Sequence, residues 1–272
     1  MSVVSRRAFL IGIPSGGLAA SAPGASVFLR PQRRGASAAG APHPGFPAQD
    51  PKLVKSVVGF SHANIDGVRE LIAGRPALAK ASWDWGFGDW ETALGAASHT
   101  GRRDIAELLI AHGARPNLFT FAMLDQVEAV RAILAANGGI ERIHGPHGIT
   151  LLQHARNGKA QRVLDYLEGA GGADTPYANE PLNDRLKAAY LGVYVYGAGV
   201  DETLTVAEAG NGPLGLQRGE GVQRRLFHLG EHTFHPAGAP AVRINFRVAA
   251  GGAAETLTVH DGDLVVTARR AE

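Results

Sequence analysis

The sequence predicts an α+β, multidomain protein: an N-terminal α-solenoid of about four helix pairs, followed by a small antiparallel β barrel or sandwich. Three observations carry this expectation. One apolar spacing, φ-x-x-φ-φ with φ an apolar residue, recurs four times between Val68 and Leu167. After the Pro-rich joint Thr175–Pro181 the pattern changes from helical period to alternation. Near the C-terminus Asp261-Gly262 separates two alternating segments, the mark of a two-residue hairpin turn. The expected organisation is an N-terminal address over 1–39, a linker over 40–52, the helical domain over 53–175, a joint over 176–184 and a β-rich domain over 185–272.

The first element is Ser5-Arg6-Arg7-Ala8-Phe9-Leu10, followed by the apolar run Ile11–Ala20 and by small-residue sites at Ala20-Ser21-Ala22 and Ala36-Ser37-Ala38. This is the layout of a signal peptide. It resembles the S-R-R-x-F-L twin-arginine export signal, with Ile11 where that pattern often has Lys. The alternatives are a basic tail or a retained anchor, which the Gly- and Pro-bearing apolar run disfavours. The resemblance implies a chain that folds before export and works in the periplasm or outside the cell, with no stable membrane insertion after signal removal. Cleavage is expected after Ala38 or nearby, and Gly35–Asp50 reads as a Gly/Pro/Ala linker.

The same segment accounts for the charge. Residues 1–39 hold five arginines and no acid, so without them 22 basic residues face 25 acidic ones and the apparent basicity disappears. That excludes a nucleic-acid reading based on excess positive charge. The absence of cysteine excludes disulfides, thiolate metal sites and a cysteine nucleophile.

The helical instances are Val68-Leu71-Ile72, Ile105-Leu108-Leu109, Val130-Ile133-Leu134 and Val163-Tyr166-Leu167, at offsets of 37, 25 and 33 residues. Each triplet marks one face of a helix that needs a neighbour to cover it. The segment Glu91–Asn117, ETALGAASHTGRRDIAELLIAHGARPN, has Thr92, Leu94 and Ala97 at Thr-x-Leu-x-x-Ala spacing, a turn glycine at Gly101 and a Gly113-Ala114 closure. Thr150, Leu152 and Ala155 repeat the spacing. These residues resemble ankyrin units, with Ala93 and Gly95 departing from that family's Pro and His. The resemblance covers Leu53–Asp174 and implies a stack that binds another protein; the alternative is an unrelated helical bundle.

Between the first two instances lies Ser82–Trp90, which contains all three tryptophans of the chain. This aromatic insertion has two readings. Trp83, Trp85, Phe87 and Trp90 are anchors for a protein partner, in keeping with the enrichment of tryptophan at interaction hot spots. Alternatively the rings fold back and cover the end of the helical stack.

Two histidine groups invite chemistry. His144, His147 and His154 supply three imidazoles within a short stretch, enough for a metal. The sequence reading assigns them instead to hydrogen bonding between loops. His228-Leu229-Gly230-Glu231-His232 has the letters H-x-x-E-H of inverted zinc peptidases, but Gly230 and the following Thr233–Pro236 indicate a loop entering a short strand. No G-x-S-x-G or phosphate-binding loop of the G-x-x-x-x-G-K-S/T kind occurs.

Alternation places strands at Tyr190–Tyr196, Thr203–Val206, Leu214–Leu216, Arg225–His228, Val242–Val248, Thr256–His260 and Leu264–Thr267. The Tyr190–Tyr194 opening and the short strands resemble the small β domain appended to serine β-lactamase-like hydrolases; no Ser-x-x-Lys is present to supply their chemistry. From sequence, therefore, the chain reads as an exported protein-binding module, with no catalytic residues, no metal and no cofactor assigned. The rivals are a metal-dependent hydrolase built on clustered histidines, and a carrier of a small apolar ligand inside the β domain.

Overall fold

A computed structural model describes residues 43–199, 201–210, 212–250 and 252–271. The export signal expected over 1–39 lies outside the described residues. No helix among them is long and apolar enough to cross a membrane.

Most of the helices begin where short polar side chains satisfy free amides. Asp50 caps α1 (Pro51–Phe60), Asn64 caps α2 (Ile65–Gly74), and Thr92 caps α3 (Ala93–His99) by accepting from the Gly95 amide at 2.8 Å. α4 spans Arg103–Ala111. Asn117 caps α5 (Leu118–Met123), which precedes α6 (Val127–Ala136), and Thr150 caps α7 (Leu151–Asn157), which precedes α8 (Gln161–Ala170). α9 (Asp184–Tyr190), capped by Asn183, leads into the β region.

The expected ankyrin-type α-solenoid is not evident. The helices are short pieces of six to ten residues. They are interrupted by 3-10 segments at Pro76–Lys80, Ile140–Arg142 and Pro146–Gly148, and by a two-stranded hairpin of β1 (Ser82–Asp84) and β2 (Trp90–Thr92). They bury two apolar clusters, one from α1–α4 with the hairpin and Met123 of α5, and one from α5–α8. The φ-x-x-φ-φ spacing reports only which face of a helix is buried, and Val68, Ile72, Ile105, Leu109, Val130, Val163 and Leu167 are indeed buried. A solenoid also requires successive units to share one rise and rotation. Offsets of 37, 25 and 33 residues do not provide that.

The β region closes into an eight-stranded antiparallel barrel, the barrel alternative of the expectation. Its strands are β3 (Gly192–Val195), β4 (Thr203–Ala209), β5 (Gly212–Arg218), β6 (Arg224–Gly230), β7 (Thr233–Pro236), β8 (Arg243–Val248), β9 (Ala254–Asp261) and β10 (Leu264–Arg270), with β10 pairing back onto β3. Alternate residues such as Leu204 and Val206, Leu214 and Leu216, and Ile244 and Phe246 point inward with Tyr190, Tyr194 and Phe234, so side chains fill the interior. That packing disfavours the apolar-carrier reading. The first strand begins two residues later than expected because Tyr190 ends α9. The last hairpin pairs Asp261 with Leu264, which makes Gly262-Asp263 the two-residue loop, with Gly262 at φ 61°.

The hairpin β1–β2 carries the helical part to the barrel. Its turn Gly86-Phe87-Gly88 lies in the left-handed region throughout, at φ 110°, 59° and 75°, and Phe87 packs against the barrel core. The chain can then present Asp89 to the barrel and Glu91 to the helices.

Candidate metal centre

Four residues from four separate segments converge beside the hairpin. His62 follows α1, Glu91 is the middle residue of β2, His99 ends α3, and His147 lies in the 3-10 turn Pro146–Gly148. One ligand atom from each lies within 4.8 Å of the others.

Each is placed by local structure. His62 sits at the C-terminal end of α1, where its Nδ1 donates to the Gly59 carbonyl at 3.0 Å and reaches the Val58 carbonyl at 3.2 Å, a favourable position for an imidazole. Strand alternation sends Trp90 outward and Glu91 fully inward. α3 is built from Ala93, Gly95, Ala96 and Ala97, all buried, so His99 at its end is held among close neighbours. His147 adopts a left-handed φ of 60°, which is held by a bond from its own amide to Asp89 Oδ1 at 3.0 Å.

The imidazole tautomers follow from these bonds. His62 Nδ1–H faces carbonyls, and His147 Nδ1–H donates to Asp89 Oδ2 at 2.8 Å. Their Nε2 lone pairs are left directed at Glu91 Oε2, at 3.3 Å from His62 and 3.4 Å from His147. His99 Nε2 lies 2.9 Å from Glu91 Oε1, yet neither atom has a hydrogen-bond partner of acceptable geometry, and both are buried. Three imidazole Nε2 atoms thus surround one carboxylate, and those of His62 and His147 face it as acceptors unless a proton or a metal cation stands between them. Bonds of about 2.0 Å to a tetrahedral zinc would set neighbouring donors roughly 3.3 Å apart. His62 and His147 stand 3.3 and 3.4 Å from Glu91 Oε2, close to that edge, and His99 stands 2.9 Å from Oε1.

Without a metal, protons supply the positive charge. Burial opposes the charged form of His147, but its bonds to Asp89 and Glu91 outweigh burial and push it up to about 9. His62 is raised in the same way, burial being overcome by Glu91 and the Gly59 carbonyl. Burial also opposes ionisation of Glu91, yet the neighbouring imidazoles of His147, His62 and His99 hold its carboxyl far below the ordinary range. Trp85 Nε1–H donates to Glu91 Oε2 at 2.8 Å.

A second tier supports the first. Asp89, buried, orients His147 and receives Arg224 of β6 at 2.7 Å; Arg224 also donates to the Ala237 carbonyl at 2.9 Å. Gly238, at φ 77°, gives Asp89 room, since a Cβ there would lie 2.4 Å from the carboxyl carbon. Asp89–His147 is the carboxylate–imidazole arrangement that commonly stands behind a metal ligand. A pocket of about 520 Å³ opens beside the centre, with His62, Trp85 and His147 on its helical wall and Val222, Arg224 and Arg225 on its barrel wall.

Of the residues singled out from sequence, Trp85 lines this pocket and Trp83 packs on the helical core. Phe87 packs on the barrel core, and Trp90 is 64% exposed on the far face of β2. The four do not form one surface. Of the three clustered histidines only His147 joins the centre. His144 stacks on Tyr177 with ring centres 4.0 Å apart. His154 is buried next to His99, its Nδ1–H bonded to the Thr150 carbonyl at 2.8 Å, and burial lowers it to about 4. His228 and His232 flank the turn between β6 and β7, and His232 bonds the Tyr190 hydroxyl at 2.6 Å. The sequence reading missed His62, Glu91 and His99. A signal for two of them was present: Ser61-His62 and Ser98-His99 stand at the 37-residue offset of the first two apolar triplets. Both serines bond the carbonyl four residues back, at 2.7 and 2.6 Å. No protein-family model matches the chain, and no curated protein matches it.

Proposed function

We propose that the chain is a metal-dependent hydrolase. Its metal would be a divalent transition ion, zinc by the character of the donors, held by Nε2 of His62, His99 and His147 with the Glu91 carboxylate. The observation that carries this reading is the buried pair Glu91 Oε1 and His99 Nε2, 2.9 Å apart and without hydrogen-bond geometry. His62 and His147 keep about 30% of their side chains accessible and form part of the pocket wall, so the centre has a side open to substrate and water. A metal held there would supply a water of lowered pKa to add to a carbonyl or phosphoryl group, and the Glu91 oxygen not on the metal would be the base that takes that water's proton and returns it to the leaving group.

The test is turnover of ester, lactone, amide and phosphoester substrates by metal-loaded protein, beside Glu91→Gln. Hydrolysis lowered about 100-fold or more in the variant supports the reading. A fully loaded protein with no turnover of any class would reduce the site to a structural metal centre.

The protein-binding reading rests on one observation, the exposure of Trp90. It predicts that Trp90→Ala abolishes capture of a partner while leaving metal content unchanged.

A further inference from the structure

Two arginines of β6 face the pocket, and they differ. Arg224 is neutralised by Asp89 at 2.7 Å. The Arg225 side chain makes no hydrogen bond or ion pair with any described residue, and its Nε is buried without a partner. The guanidinium is nevertheless held in place. Its carbon lies 4.5 Å from the centre of the Phe227 ring, and its stem crosses Gly212 of β5, where an added Cβ would meet Nε at 2.6 Å and Cδ at 2.9 Å. A cation stacked on an aromatic ring, with a glycine opposite to make room, is a preorganised donor fork whose charge has no counterpart among the described residues.

Resting on the hydrolase reading, we infer that the pocket takes a small organic anion: Arg225 receives its carboxylate or phosphate while an apolar body lies along Trp85 and Val222 and its scissile group reaches the centre. Several features agree. The pocket volume of about 520 Å³ suits a small molecule. The acids nearest the pocket are already committed, Asp89 to His147 and Arg224 and Glu91 to three imidazoles and Trp85, so none competes for Arg225. A planar guanidinium binds carboxylate and phosphate in two-pronged fashion.

The experiment uses the full chain with its metal content measured. Phenylacetate, phenyl phosphate and the neutral phenylacetamide are titrated by calorimetry into wild type, Arg225→Gln and His99→Ala. The inference expects at least one anion to bind, phenylacetamide to bind at least ten-fold more weakly, and Arg225→Gln to lose at least ten-fold in anion affinity at unchanged metal content. The preferred arm, carboxylate or phosphate, identifies the group. Equal binding of anion and amide, no binding of any probe, or anion affinity unchanged in Arg225→Gln would overturn it. The two readings fail separately. Anion binding that survives in metal-free His99→Ala and is lost in Arg225→Gln leaves the anion site standing even if the hydrolase reading fails.

Discussion

Glu91 concentrates the chemistry of this molecule in one side chain. It is fully buried in a three-residue strand, which costs free energy unless its charge is matched, and three imidazoles match it. Asp89 acts one step behind. Asp89→Asn removes the charge and one of the two acceptor oxygens that hold His147 and is expected to weaken metal binding by about 10- to 100-fold, as measured by competition with a chromophoric chelator. The pH dependence follows from His147. In metal-free protein its pKa is raised to about 9, so at pH 7 the ring carries a proton that the metal must displace. Apparent metal affinity should therefore climb as pH rises from 6 towards 9, with proton release on binding at pH 7; an affinity flat across that range would remove His147 from the ligand set. By the same shift, stability contributed by protonated His147 in the metal-free protein is fully present below about pH 6.5 and is lost as pH rises through about 9. At this scale the sequence was only partly legible. His147 could be noticed beside His144, but His62, His99 and Glu91 belong to different elements, and nothing in their local spacing brings them together. The repeated Ser-His pair was the available signal, and it marks helix ends as readily as ligands.

At the scale of elements, apolar spacing identified buried helix faces correctly but not how the helices assemble. Helix pairs with unequal insertions still bury Ile72 and Leu109, and Leu109→Ala is expected to cost about 2–5 kcal/mol in chemical denaturation. The turns nest closely. An added Cβ at Gly158 would lie 2.1 Å from the Met123 carbonyl oxygen, a backbone atom that cannot swing aside. Gly158→Ala should accordingly destabilise by more than about 2 kcal/mol, whereas Gly113→Ala, with nothing within 4 Å but a positive φ of 88°, should cost about 1 kcal/mol. Strand alternation was easier to read than helix assembly. Most barrel strands overlap the expected segments, because inside and outside positions alternate in every strand. Barrel closure was not legible, since it depends on the pairing of β10 with β3, two segments almost at opposite ends of the region. The hairpin shows the other limit: four aromatic residues suggest a binding surface, yet Trp83 and Phe87 pack on the two cores and Trp85 lines the pocket, while Asp89 and Glu91 do the positioning.

At the scale of the whole molecule, the barrel and the helices meet at Asp89 and Arg224, both buried. Arg224→Met leaves the Asp89 charge with His147 alone and is expected to cost about 3–5 kcal/mol and to weaken metal binding as well. A variant as stable and as well loaded as wild type would show that the barrel is only an attachment. The account as a whole depends on whether His62, Glu91, His99 and His147 hold a metal. The most direct measurement is native mass spectrometry with elemental analysis of the protein purified without chelators, beside His99→Ala. The expected result is one transition-metal ion per chain in wild type and less than about one-tenth in the variant at retained fold. A wild-type chain that stays metal-free after incubation with zinc, cobalt and manganese would contradict the account and leave Glu91 as a carboxylate balanced by protonated imidazoles alone.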